Sequence, residues 1–161
     1  MSGLSAADAR ISGMTLCDYF SAADDQAAVA VVQTLGGPGQ AALDVVSLKG
    51  IDPVVAIVQL EALVTGCSYE EAGRRPRSGQ LLSEPEADGP LVFSVSDSLT
   101  EALVGAARED LVRFAESWSM TAELKQGKVD AETAAGVLEA LAGLAQRARV
   151  GGLRLYCWWS L

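Results

Sequence analysis

The sequence predicts a single α+β domain, mostly helical, with a small sheet packed against a buried central helix. Three observations lead there. Residues 53–65 form an apolar run whose only amide or charged side chains are Gln59 and Glu61. A helix that is apolar nearly all round belongs in the middle of a fold. The C-terminal third repeats apolar residues with the helical period, and short β-branched or aromatic runs stand at 42–48, 91–95 and 153–159.

Taken in order, residues 1–14, rich in Ser, Ala and Gly, read as a flexible N-terminus, leaving 15–161 as the domain. Thr15–Phe20 places Leu16, Tyr19 and Phe20 at spacings of three and four, which predicts a short helix. Ser21 or Asp24 then caps a helix over Gln26–Leu35 with Ala28, Val31, Val32 and Leu35 on one face, and Gly36-Gly37-Pro38 stops it. Ala42–Leu48 reads as a strand closed by Lys49-Gly50. Asp52-Pro53 is an acidic N-cap followed by proline at the first helical position, so Pro53–Thr65 is helical and Gly66 is its left-handed cap.

Ser68 and Glu71 form a capping box for a short helix reaching Ala72. Residues 73–79 are a loop, Gln80–Leu82 a short strand, and Glu84–Pro90 an acidic turn. With the strand Leu91–Val95 these make a hairpin with a long connection. Ser98 and Glu101 read as a second capping box. Asp110–Trp118 continues as an amphipathic helix, and Asp130 caps the longest one, Ala131–Arg149, which Gly151-Gly152 breaks. The last strand, Leu153–Trp159, sends Leu155, Cys157 and Trp159 one way and Tyr156 and Trp158 the other. Apolar side chains on both faces argue for an interior sheet position or a covered edge.

Composition excludes several kinds of function. The 161 residues carry 12 Lys+Arg against 21 Asp+Glu, a net charge of −9, with a pI of about 4.4. Such a chain lacks the electrostatic footprint of a nucleic-acid binder and is repelled by anionic lipid. There is no His, which removes His-based metal sites and nucleophile–His pairs. Cys17, Cys67 and Cys157 form no CxxC and no disulfide framework, as expected of reduced, mostly buried thiols in a cytoplasmic protein. The N-terminus lacks the basic and apolar regions of a secretory signal. No glycine-rich phosphate cradle is present, because Gly36–Gly39 follows a helix rather than a strand. No cofactor is expected.

Four features carry candidate chemistry. The loop Arg74-Arg75-Pro76-Arg77 is an anion-binding candidate, since guanidinium groups grip phosphate or carboxylate in bidentate fashion. The simpler expectation is local ion pairing with Glu70, Glu71 or Glu84. Trp118, Tyr156, Trp158 and Trp159 suit core packing, with Trp158 and Trp159 as interface candidates. Glu61 is either an acid–base group in a cleft or a carboxylate that reaches the surface or meets Arg147 or Arg154. Ser117 and Ser119 beside Glu116 and Glu123 read as local capping.

The segment IDPVVAIVQLEALVTG (51–66) and the ending LAQRARVGGLRLYCW (144–158) resemble the YfbM-like family of bacterial domains of unknown function. The ending is also similar to actinobacterial proteins that close on a Tyr-Cys-Trp strand. The resemblance implies one α+β domain and transfers no catalytic residue, because Val54, Val55 and Ile57 stand where that family carries Trp and His. The sequence thus points to an acidic, non-enzymatic protein-binding module of the regulatory or toxin-neutralising kind, acting on a protein partner or by self-association through the terminal strand. The alternative is a small-molecule or anion-binding protein, or an enzyme, using Arg74, Arg75 or Arg77 with a carboxylate.

Overall fold

The computed structural model describes residues 16–39, 43–85 and 89–160. The expected flexible segment 1–14 lies outside them, as do Ala42 and part of the acidic turn. The domain is α+β. Its antiparallel sheet has the order β2-β1-β4-β3, formed by β1 (Leu16–Ala22), β2 (Val45–Lys49), β3 (Leu91–Ser94) and β4 (Arg154–Ser160). The helices are α1 (Asp25–Ala30), α2 (Pro53–Thr65), α3 (Tyr69–Gly73), α4 (Asp97–Gly105), α5 (Arg108–Ser119), α6 (Ala122–Gln126) and α7 (Ala131–Gly151).

The first segment corrects the sequence reading: residues 16–22 are a strand, not a helix. Six residues are too few to separate a helical period from an alternating one, and β1 gains backbone partners on both sides. Its alternation sends Cys17 and Tyr19 toward the main helical layer. Leu16 and Phe20 go to the opposite face.

The next helix is also shorter than expected. Asp24 caps α1 as predicted, its side chain accepting from Ala27 N, but the helix ends at Ala30. Val31–Gln33 tightens into a 3₁₀ turn. Leu35, expected on the buried face, is therefore exposed.

Pro53–Thr65 is the pillar the sequence predicts. Asp52 caps it through Val54 N and Val55 N, Gly66 ends it at φ +70°, and each of its residues is buried or half-buried. Tyr19 Oη donates to the Pro53 carbonyl at 2.6 Å, and Trp118 Nε1 donates to the Ala56 carbonyl at 3.0 Å. The sheet and α5 are thereby both tied to its first turn. Glu123 on α6 accepts from Asp52 N, closing the same end.

Strand β4 is hydrogen-bonded to β1 on one side and β3 on the other, so it is interior as expected. Both its edges are occupied, which rules out self-association by edge pairing of the terminal strand. The outer edge of β3 is lined by the predicted short segment: Leu81 bridges Phe93, Leu82 N donates to the Val92 carbonyl, and Ser94 N to that of Gln80. The capping box at 98–101 shifts by two residues, because β3 ends immediately before the helix. Ser96 is the cap of α4 and accepts from Leu99 N.

One face of the sheet rests on α2, α4 and α7, and α5 packs on α2 and α7 behind them. The other face carries a smaller cluster of Phe20, Val92, Tyr156 and Trp158, covered by Ala28 and Val31. Gly37 (φ +84°) lies against Trp158, where an added Cβ would fall 2.8 Å from the ring. Gly37→Ala is expected to cost about 2 kcal/mol from the left-handed backbone and the ring overlap together. Urea unfolding measures this as a lowered midpoint at unchanged slope.

Candidate functional site

The Arg74–Arg77 loop is where the sequence places its candidate chemistry, and the structure sends its arginines in different directions. Arg75 turns inward. Its Nη1 lies 2.8 Å from Glu61 Oε2 and 3.0 Å from Thr65 Oγ1. Glu61 also accepts from Ser98 Oγ at 2.8 Å, and from Ser96 Oγ. Its side chain is 2% exposed, so the carboxylate sits inside the domain with one guanidinium and two hydroxyls around it. Glu61 thus neither reaches the surface nor meets Arg147 or Arg154, because its turn of α2 faces α4 and the start of the loop. Arg147 pairs with Asp44, and Arg154 lies 3.8 Å from Asp97. An acid–base role needs a cleft that admits a substrate, and this carboxylate is enclosed. Glu61 in turn holds the Arg75 guanidinium more firmly protonated, chiefly through their hydrogen bond.

Arg77 crosses to the second face of the sheet. Its Nη1 and Nη2 meet the two oxygens of Asp25 at 3.2 and 2.9 Å, and its guanidinium lies over the Tyr156 ring, 5.6 Å from the centroid. Tyr156 Oη donates to Asp25 at 2.8 Å. The Arg77 and Tyr156 hydrogen bonds lower the Asp25 pKa. Burial, followed by the Asp25 bond, pushes the Tyr156 hydroxyl up to about 12. The loop pairs therefore form with Glu61 and Asp25, not with the neighbouring Glu70, Glu71 or Glu84. Long-range packing brings those two acids to the loop. Arg74 is exposed.

Of the interface candidates, Trp158 is 3% exposed and packs in the smaller cluster. Trp159 is half-buried and packs against Phe93 with ring centroids 6.1 Å apart. Trp118 is fully buried, as a core role requires. Ser119 bonds the Glu116 carbonyl, consistent with local capping.

Sequence reasoning missed Asp25 and Tyr156 as partners of Arg77, and Ser96 and Ser98 as partners of Glu61. Two serines at alternate positions before an apolar helix were the available signal. Ser98 reads as the cap, and Ser96 is the cap in the structure.

The cysteines are free thiols. Burial raises the Cys17 thiol to about 12 and pushes Cys157 well above the ordinary thiol range. Both stay protonated and unreactive at neutral pH, whereas Cys67 is half-buried. Titration with an aromatic disulfide reagent is expected to label one thiol in the native protein and all three after denaturation.

Among the described residues no three His, Cys, Asp or Glu side chains group in a way that would hold a metal ion, and no helix is long and apolar enough to cross a membrane. No protein-family model, curated protein or solved structure matches this chain.

Proposed function

We propose that the protein is a non-enzymatic protein-binding module, of the regulatory or toxin-neutralising kind, that offers the outward face of α5 to a basic partner in the cytoplasm. The observation that carries this reading is the stripe Glu109, Val112, Glu116 and Met120. Glu109, Val112 and Glu116 follow one face of α5, Met120 is its C-cap, and all four are exposed. Val112 is 50% and Met120 65% exposed, so two aliphatic side chains stand in water between carboxylates.

An open depression lies at each end of the α5–α7 seam. One, of about 420 Å³, is lined by Met120, Lys125, Lys128 and Val129; the other, of about 310 Å³, by Arg108, Leu111, Ala142 and Gly143. Twelve helical residues separate them by about 18 Å. Apolar anchors between acidic side chains favour a partner with complementary basic and apolar groups.

Charge supports the same reading. Five exposed arginines are each matched to a carboxylate, Arg108, Arg113, Arg147, Arg149 and Arg154, so the excess acid is carried by the surface. The three free thiols accord with a reducing compartment. Kinship with the YfbM-like domains belongs to the same proposal. It rests on the α2 pattern and on the helix, glycine break and strand that close the chain.

Native pull-down from the source cell tests the reading. A stoichiometric partner is expected, bound more weakly as salt rises. A Val112→Asp/Met120→Asp variant of unchanged thermal stability should lose it. Recovery of no stoichiometric partner, or a partner indifferent to both substitutions, overturns the proposal.

A further inference from the structure

We propose that the donor cluster of Arg77 and Tyr156 is a latent binding site for an aromatic carboxylate, and that Asp25 is its resident occupant. Three donors converge on the Asp25 carboxylate: both terminal nitrogens of Arg77 and the hydroxyl of Tyr156. Fork-to-fork pairing of this kind is how proteins recognise carboxylate ligands. The side-chain exposures run in the order such a site requires. Arg77 is 16% exposed while Asp25 is 47% exposed, so the donors form the floor and the acceptor the outer layer.

The core beneath this cluster is apolar and aromatic. Phe20, Val92, Tyr156 and Trp158 make the face beneath, with the Phe20 and Tyr156 rings 5.8 Å apart. Two buried N–H groups on this side, Arg77 Nε and Trp158 Nε1, have no acceptor among the described residues. Buried donors without partners are rare, and Asp25 leaves these two unmet.

The occupant and the floor are held by separate parts of the chain. Asp25 sits on the connection between β1 and β2, whose ends are neighbours in the sheet, Phe20 pairing with Val45. Displacing α1 would leave that pairing and the strand register in place. Its far root is secured independently, Arg147 gripping Asp44 at 2.6 and 3.1 Å. Arg77 (φ +66°) is fixed to β3 instead, its carbonyl accepting from Ser94 Oγ at 2.6 Å. Arg77 and Tyr156 therefore stay in place when Asp25 leaves. Arg154 adds positive potential at Asp25, while Asp97 acts on Arg77 with opposite sign. This inference stands apart from the α5 face and survives if that reading fails.

Benzoate is the probe, followed in ¹H–¹⁵N spectra through the Trp158 indole and Arg77 Nε–H signals. Asp25→Ser removes the internal competitor, so it should bind benzoate at least about tenfold more tightly than the parent chain. Adding Arg77→Gln should abolish the response, and Arg147→Gln alone should match the parent. Equal affinity in parent and Asp25→Ser, or a Trp158 signal indifferent to benzoate in a folded Asp25→Ser protein, overturns the proposal. If that variant loses α1, the parent chain provides the answer. Saturating benzoate should then accelerate hydrogen exchange at residues 25–33 by displacing Asp25, and unchanged exchange there overturns the proposal.

Discussion

Glu61→Ala is expected to destabilise the domain by about 3 kcal/mol, the lower end of the cost of removing one partner from a buried ion pair. The substitution strands three groups at once. Arg75 keeps only Thr65, and the Ser96 and Ser98 hydroxyls lose their shared acceptor. The lower end applies because the Arg75 side chain is 25% exposed and water reaches part of its charge. In a domain of this size the loss corresponds to a fall of about 6–12 °C in Tm.

A cycle with Arg75→Met separates pairing from packing. Glu61→Leu/Arg75→Met removes both charges and should recover much of the loss, because an apolar pair demands no desolvation of charge. A fall in stability below about 1 kcal/mol for Glu61→Ala would mean the carboxylate is hydrated, contrary to its burial.

Trp118→Ala is expected to cost about 3–5 kcal/mol, the range for deleting a large, fully buried aromatic side chain. Trp118 packs between α5 and the pillar helix, and its indole N–H reaches the Ala56 carbonyl. Trp118→Phe keeps most of the volume and loses the hydrogen bond, so its cost should be about 1 kcal/mol. Denaturant midpoints rank the two variants. The order Ala, then Phe, then parent is expected, and near-equal midpoints for Phe and Ala would show that the hydrogen bond outweighs the packing.

Much of the architecture is legible in residue order. The pillar helix is marked at both ends by chemistry that acts within one turn: Asp52 and Pro53 at its start, Gly66 at its close. Helix α7 is marked likewise by Asp130, although it runs two residues past Arg149 before Gly152 turns left-handed. The burial of both faces of β4 follows from its own side chains.

The errors fall where local signals are weak or contested. Residues 16–20 satisfy helical spacing over a stretch too short to exclude a strand, and partners remote in sequence decide the outcome. Ser98 and Glu101 mimic a capping box, yet Ser96 takes that role and Ser98 turns to Glu61.

The candidate site divides in the same way. The loop's arginines, Glu61 and the tryptophans are conspicuous in the sequence, but their partners are not. Tyr156 follows Asp25 by 131 residues and Arg77 follows it by 52. By itself the sequence determined the fold class, the acidic surface and the capped helices, because propensity, capping and hydrophobic period act over a few residues. Only the tertiary structure decided which acid each arginine meets and which tryptophans are enclosed. Those choices depend on which chain segments the sheet and the pillar helix bring within hydrogen-bonding distance.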